Sequence, residues 1–145
     1  MNTSLKRFAI LGALCAGMIT GFAGDKKIVA GPSGGRLLEK TEPRAEFFME
    51  KDRTVRITFY DASLKPVAAA AQTVTVIADG KTKLEFEKKG DVLVSKTKLP
   101  EGDGYSVVVQ FKASAEARPQ NFRFKLELYT CGGCQRAEYA CTCGH

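Results

Sequence analysis

The chain has 145 residues, of which 44% are hydrophobic and 26% are charged, and these values are typical of one globular domain that can bury a core. The formal net charge is +6 at pH 7. Because the Lys and Arg residues are interspersed with Glu and Asp, the charge pattern indicates a solvated surface and argues against the basic stripe of a nucleic-acid-binding protein.

Residues 1–23 have the features of a cleaved signal peptide. A short positive segment with Lys6 and Arg7 comes first, residues 8–22 carry no charge, and Gly21-Phe22-Ala23 places small residues at a peptidase site. The uncharged run is shorter than the ~20 residues that a membrane-spanning helix needs. We therefore expect cleavage after this site, no membrane span in the remaining chain, and a periplasmic or secreted protein.

Residues 24–45 are predicted to form an extended lead-in, because they are polar and rich in turn-forming residues. The segment Gly31-Pro32-Ser33-Gly34-Gly35-Arg36 predicts a tight turn, since Gly and Pro supply unusual backbone angles. Leu37 and Leu38 then begin a first short strand.

Residues 46–129 show the period-two alternation of antiparallel strands with one buried and one wet face. The clearest example is 121–128, where Phe122, Phe124, Leu126 and Leu128 alternate with polar residues. The other alternating segments are 54–60, 72–78, 83–87 and 105–111, with weaker candidates at 46–49 and 92–99.

The connections between these segments carry turn signals such as Asp79-Gly80, which is typical of a β-hairpin. Short strands at this spacing predict an all-β fold, namely an immunoglobulin-like antiparallel β-sandwich of about seven strands with a Cys-rich C-terminal tail. A small closed barrel is the alternative architecture.

The sequence offers no catalytic constellation, so we expect a protein that is not an enzyme. The only His is His145, the last residue of the sequence, whereas a Ser-His-Asp or Cys-His site needs a His held rigidly beside its nucleophile. The Gly-rich segment at 31–35 is not followed by a helical pattern, so it does not predict a phosphate-binding loop.

The tail, residues 130–145, contains four of the five cysteines together with the only His. The spacing is CxxC-x6-CxCxH, and the candidate metal ligands are Cys131, Cys134, Cys141, Cys143 and His145. Four thiolates, or three thiolates and an imidazole, satisfy tetrahedral Zn²⁺, and soft sulfur ligands also suit Cu(I). The tail is therefore predicted to bind Zn or Cu(I).

Disulfide bonding is the alternative for the tail, because an exported protein meets an oxidising environment. Four cysteines allow three pairings, and the pairing of chain neighbours needs a strained Cys141–Cys143 loop. Redox catalysis by the CxxC pair is disfavoured, since no βαβ unit surrounds it.

Part of the chain resembles a known group of proteins, over residues 31–60. Gly31-Pro32-Ser33-Gly34-Gly35-Arg36-Leu37-Leu38, then Glu46-Phe47-Phe48 and Thr54-Val55-Arg56-Ile57-Thr58-Phe59, are similar to small bacterial periplasmic β-sandwich proteins and to the lead-in domains of heavy-metal efflux periplasmic adaptors. In those proteins a His often occupies the turn position that is Ser33 here. The resemblance implies a periplasmic location and a link to metal handling.

These observations lead to two hypotheses for the function. The first is an exported, non-enzymatic protein that binds a soft metal ion for sequestration or for hand-over to a metal-efflux adaptor or another envelope protein. The second is a structural or protein-interaction module whose tail is stapled by two disulfides.

Overall fold

The computed structural model describes residues 27–144, so the predicted signal peptide and His145 lie outside the described residues. Nine strands and one short 3-10 helix, Glu138–Ala140, occur within this range. None of the helical structure in residues 27–144 has the length and apolar character needed to cross a membrane. The strands are β1 Arg36–Leu38, β2 Arg44–Met49, β3 Val55–Tyr60, β4 Pro66–Val67, β5 Thr73–Ala78, β6 Thr82–Lys89, β7 Val92–Ser95, β8 Tyr105–Lys112 and β9 Gln120–Leu126.

All neighbouring strands pair in antiparallel fashion along one continuous path, β1-β2-β3-β7-β6-β5-β8-β9, and β4 adds to β3. The path turns a corner in β6, which pairs with β5 up to Glu85 and with β7 from Phe86 onward. The two halves of the sheet thus face each other as a nearly closed sandwich. The predicted all-β antiparallel fold with a Cys-rich C-terminus is confirmed.

The core consists of the inward faces of both halves, as the alternation predicts. Phe124 and Leu126 of β9 are buried, whereas Arg123 and Lys125 between them are exposed. Burying a large apolar side chain of this kind stabilises the fold by about 1.5–3 kcal/mol. The largest fully buried apolar side chains are Phe47, Ile57, Phe59, Leu38, Leu84, Phe111 and Leu126.

One buried carboxylate departs from simple alternation. Glu46 is fully buried, and its two oxygens accept hydrogen bonds from Tyr60 Oη (2.6 Å), Gly35 N (2.7 Å) and Ser33 N (3.2 Å). Alternation places Thr58 and Tyr60 on the wet face, yet both are buried. The turn at 31–35 covers this face of β2 and β3, so the carboxylate fixes the turn against the sheet.

The turn at 31–35 packs closely against the backbone of β2, and this contact can be tested by substitution. A Cβ added at Gly35 would overlap the Phe47 carbonyl oxygen, whereas one at Gly34 would meet open space, although Gly34 has a φ of +88°. We expect Gly35→Ala to lower the free energy of unfolding by about 2–3 kcal/mol through overpacking, and Gly34→Ala by about 1 kcal/mol through backbone strain. Urea unfolding measures both, and equal losses would contradict the proposed contact.

Candidate metal centre

The Cys-rich segment follows directly from the end of β9. Beyond Leu126 it continues as a narrow loop that folds back on itself, joined by an isolated bridge between Thr130 and Ala137. Tyr139 N donates to Glu127 O at 3.0 Å, and Glu138 N donates to Tyr129 O at 3.0 Å. These backbone bonds hold the segment after Cys134 against the end of the sheet.

The turn that carries the first two cysteines is closed by its own backbone. Cys131 N donates to Arg136 O at 2.8 Å, and Gln135 N donates to Cys131 O at 3.0 Å. Gln135 takes a left-handed conformation with φ of 58°. A Cβ on Gly133 would come within 2.9 Å of Cys143 Sγ, so glycine at this position lets the second cysteine pair approach the turn.

The four cysteine sulfurs converge on one point. The Sγ atoms of Cys131, Cys134, Cys141 and Cys143 all lie within 4.8 Å of one another. Cys131 Sγ lies 3.7 Å from Cys143 Sγ, and Cys134 Sγ lies 3.6 Å from Cys141 Sγ. Zn–S bonds of about 2.3 Å in a tetrahedron place neighbouring sulfurs roughly 3.8 Å apart. The cluster therefore fits a single tetrahedral ion, with small adjustment of the longer edges.

Backbone N–H groups point at the sulfurs of the first pair. The N–H groups of Cys134 and Gly133 lower the pKa of Cys131 to about 6. Those of Thr142 and Arg136 lower the pKa of Cys134. Hydrogen bonds to the charged form favour it, so these donors stabilise the thiolates of Cys131 and Cys134, and the thiolate is the form that binds metal.

The second pair of cysteines, Cys141 and Cys143, has raised pKa values. The N–H of Cys143 donates to Cys141 Sγ at 3.3 Å and by itself lowers the pKa of Cys141, but burial and the neighbouring sulfurs outweigh it and raise that pKa to about 12. The sulfurs of Cys131 and Cys134 raise the pKa of Cys143. Four sulfurs this close cannot all ionise without a cation, and a bound metal ion would supply that charge.

The cluster has a buried side and an open side. Cys131 and Cys141 are each only 3% exposed, while Cys134 is half-buried and Cys143 is exposed. The open pair gives solvent a route to the sulfurs.

Tyr139, in the loop between the two cysteine pairs, anchors this segment in the sandwich core. Its ring centroid lies 5.8 Å from that of Phe47, edge to face, and 6.3 Å from that of Phe124, stacked. Its hydroxyl accepts from Met49 N at 3.2 Å, and its carbonyl accepts from Arg36 Nη1 at 3.2 Å. The cysteine cluster is therefore built onto the domain and does not hang from it.

The structure brings together four of the five residues proposed as ligands, and His145 lies outside the described residues. The sequence analysis missed Tyr139, although it is the only aromatic residue between Cys131 and His145. No family model matches the chain, and neither the curated proteins nor the solved structures contain a significant match. The resemblance over residues 31–60 therefore stays a prediction.

Removal of the Tyr139 ring should weaken the whole domain. We expect Tyr139→Ala to lower the free energy of unfolding by about 3–5 kcal/mol, the usual loss for a buried aromatic side chain, and Tyr139→Phe by about 1 kcal/mol, for one hydrogen bond. Tyr129, whose side chain is 58% exposed, provides the matched control, and Tyr129→Ala should change stability by less than about 0.5 kcal/mol. Equal losses for the two alanine variants in urea unfolding would contradict the anchoring role.

The thiols of the metal-free, reduced protein should ionise in separate steps. Because the pKa of Cys131 is lowered to about 6 and that of Cys141 is raised to about 12, thiolate absorbance should begin to rise near pH 6 and be completed only in strong alkali. Cys131→Ser should remove the first step. Cys143→Ser should keep it, because the backbone donors remain. Ionisation of all four thiols together near the ordinary value of about 8.5 would contradict this electrostatic arrangement.

Proposed function

We propose that this chain is an exported, non-enzymatic metal-binding protein that holds one Zn²⁺ or Cu(I) ion through Cys131, Cys134, Cys141 and Cys143. The observation that carries the proposal is the convergence of four sulfurs within 4.8 Å, on a segment anchored in the core by Tyr139. Convergent thiols with backbone N–H donors are the features of a protein metal site.

Zn²⁺ is the ion that this ligand set favours. Four-sulfur tetrahedral coordination is typical of structural zinc sites, and the separations of 3.6 Å for Cys134–Cys141 and 3.7 Å for Cys131–Cys143 are close to the sulfur–sulfur distance in such a tetrahedron. Cu(I) accepts the same soft ligands and is the alternative ion.

Sequestration or hand-over is supported by the uneven exposure of the ligands. Cys143 is exposed and Cys131 is buried, so an incoming thiol from a partner can reach the ion from the Cys143 side. Release would then proceed by ligand exchange, with Cys143 displaced first.

The proposed setting is the periplasm or the extracellular space, on the strength of the predicted signal peptide over 1–23. A metal-efflux adaptor or another envelope protein is the proposed receiver of the ion. This part of the proposal rests on the leader and on the resemblance over residues 31–60.

A stapled interaction module is the second candidate. The Sγ atoms of Cys131 and Cys143 lie 3.7 Å apart, and those of Cys134 and Cys141 lie 3.6 Å apart. These two pairs make up one of the two pairings that avoid a strained Cys141–Cys143 loop, and two disulfides between them would stiffen the same loop without a metal.

Native mass spectrometry of protein purified from the periplasm without added reductant distinguishes the two candidates. We expect a mass raised by one zinc or copper ion, with the thiols retained. A metal-free mass, lighter by the hydrogens of two disulfides, would overturn the metal proposal in favour of the stapled module.

Cysteine variants assign the site within the same experiment. Cys131→Ser should abolish stoichiometric metal binding, because it removes one of the four sulfur ligands, and one whose lowered pKa favours the thiolate. Thr142→Ser, which lies between Cys141 and Cys143, is the matched control and should keep full stoichiometry. Unchanged metal content after replacement of all four cysteines would show that the ion binds elsewhere.

A further inference from the structure

The edge of β9 that faces away from β8 is only half covered by the chain. In antiparallel pairing the backbone groups of alternate residues point to opposite sides, and Leu126 O faces β8, where it accepts from Gly104 N. The next residue, Glu127, faces outward and accepts from Tyr139 N. Asn121, Arg123 and Lys125 therefore also direct their backbone N–H and C=O groups outward.

No hydrogen bond within residues 27–144 reaches the backbone groups of these three residues. The tail closes the C-terminal end of this edge by backbone pairing, and the N-terminal end stays open. An unpaired strand edge is a template for an added strand.

A groove of about 310 Å³ runs beside the open part of β9, between this strand and the β1 side of the sheet. Its floor is apolar, with contributions from Phe122 of β9, from Leu37 of β1 and from Ile28, which precedes the turn at 31–35. Phe122 and Ile28 are only partly covered by the rest of the chain. An extended segment in the groove would bury more of both side chains.

The rim of the groove is basic. Lys27, Arg36, Lys40 and Arg123 line it, and Glu39 is the acidic residue among the lining residues. Lys27, Lys40 and Arg123 are exposed, so their charges are available to a ligand. The rim complements an acidic partner, and complementary potentials both steer association and select against basic partners.

We propose that this groove binds an extended acidic segment of a partner protein, which adds as a strand to the open edge of β9. Backbone hydrogen bonds to Asn121, Arg123 and Lys125 would provide the affinity, as in other strand-addition complexes. Alternate side chains of the segment would point to the apolar floor and to the basic rim, because successive residues of a strand face opposite sides. The ligand class is thus a segment that alternates apolar and acidic residues.

A labelled peptide of alternating Glu and Val, about eight residues long as is usual for a strand, tests this proposal by fluorescence polarisation. We expect saturable binding, at least tenfold weaker binding of a Lys–Val peptide of equal length, and a similar loss when alternate amides of the Glu–Val peptide are N-methylated. The first comparison tests the charge of the rim, and the second tests backbone pairing. Equal binding of all three peptides, or no saturable binding, would overturn the proposal.

Variants of the protein locate the peptide. Arg123→Glu should weaken binding at least tenfold, equivalent to about 1.4 kcal/mol. Lys88→Glu makes the same charge change at an exposed position of β6, away from the groove, and should change the affinity for the peptide less than twofold. Binding of the peptide should also slow hydrogen exchange at the amides of Asn121, Arg123 and Lys125. Equal effects of the two charge reversals, with unchanged exchange at β9, would show nonspecific attraction only. Zinc stoichiometry should be the same in both variants, so this test is independent of the metal proposal.

Discussion

The packing of Tyr139 against Phe47 and Phe124 is the contact on which the closure of this fold depends. Phe47 lies on β2 and Phe124 on β9, near opposite ends of the strand path, and their ring centroids are only 5.2 Å apart. Within residues 27–144, β1 and β9 do not pair with each other. Side-chain packing, and not backbone hydrogen bonding, must therefore hold these two edges of the sheet together. Tyr139 covers both phenylalanine rings, and aromatic contacts of this kind contribute about 0.5–1.5 kcal/mol each beyond their buried area.

The same residue would couple metal binding by the cysteine cluster to folding. Tyr139 lies in the six-residue stretch between Cys134 and Cys141, so an ion that fixes both cysteines also fixes the ends of the loop that carries the ring. Ordering that loop costs conformational entropy, and a ligand that binds only the ordered loop stabilises the fold by linkage. In the other direction, the sandwich orients Cys141, because the preceding residue, Ala140, is fully buried. A tail too short to form its own core thus uses the core of the sandwich to position its cysteines.

The sequence predicted those features that depend on residues close together in the chain. Alternation over 121–128 indicated the buried face of β9, and the Asp79-Gly80 turn, with φ of 53° and 68°, joins two strands as its composition indicates. The cysteine spacing likewise identified the cluster. Tyr139 and Glu46 were missed because their partners lie far away in sequence. Tyr139 is a single aromatic residue in a polar tail, so it belongs to no periodic pattern. Alternation assigns Glu46 to the solvent-exposed face, and only the turn at 31–35, which folds over it with hydrogen-bond donors, makes it buried.

The docked tail and the groove lie at successive parts of the β9 edge, and Arg36 contacts both. Its guanidinium lies 4.8 Å from the centroid of the Phe124 ring, donates to the Tyr139 carbonyl, and lines the groove. Undocking of the tail would release this guanidinium, uncover Phe124 and extend the open edge to Glu127, whose carbonyl Tyr139 now occupies. A partner strand that fits the short groove would therefore bind more tightly when the tail is docked. A strand that fits the extended edge would bind more tightly when the tail is undocked. Because linkage is reciprocal, if ion binding to the cysteine cluster changed the affinity of the edge for a segment by some factor, that segment would change the affinity of the cluster for the ion by the same factor.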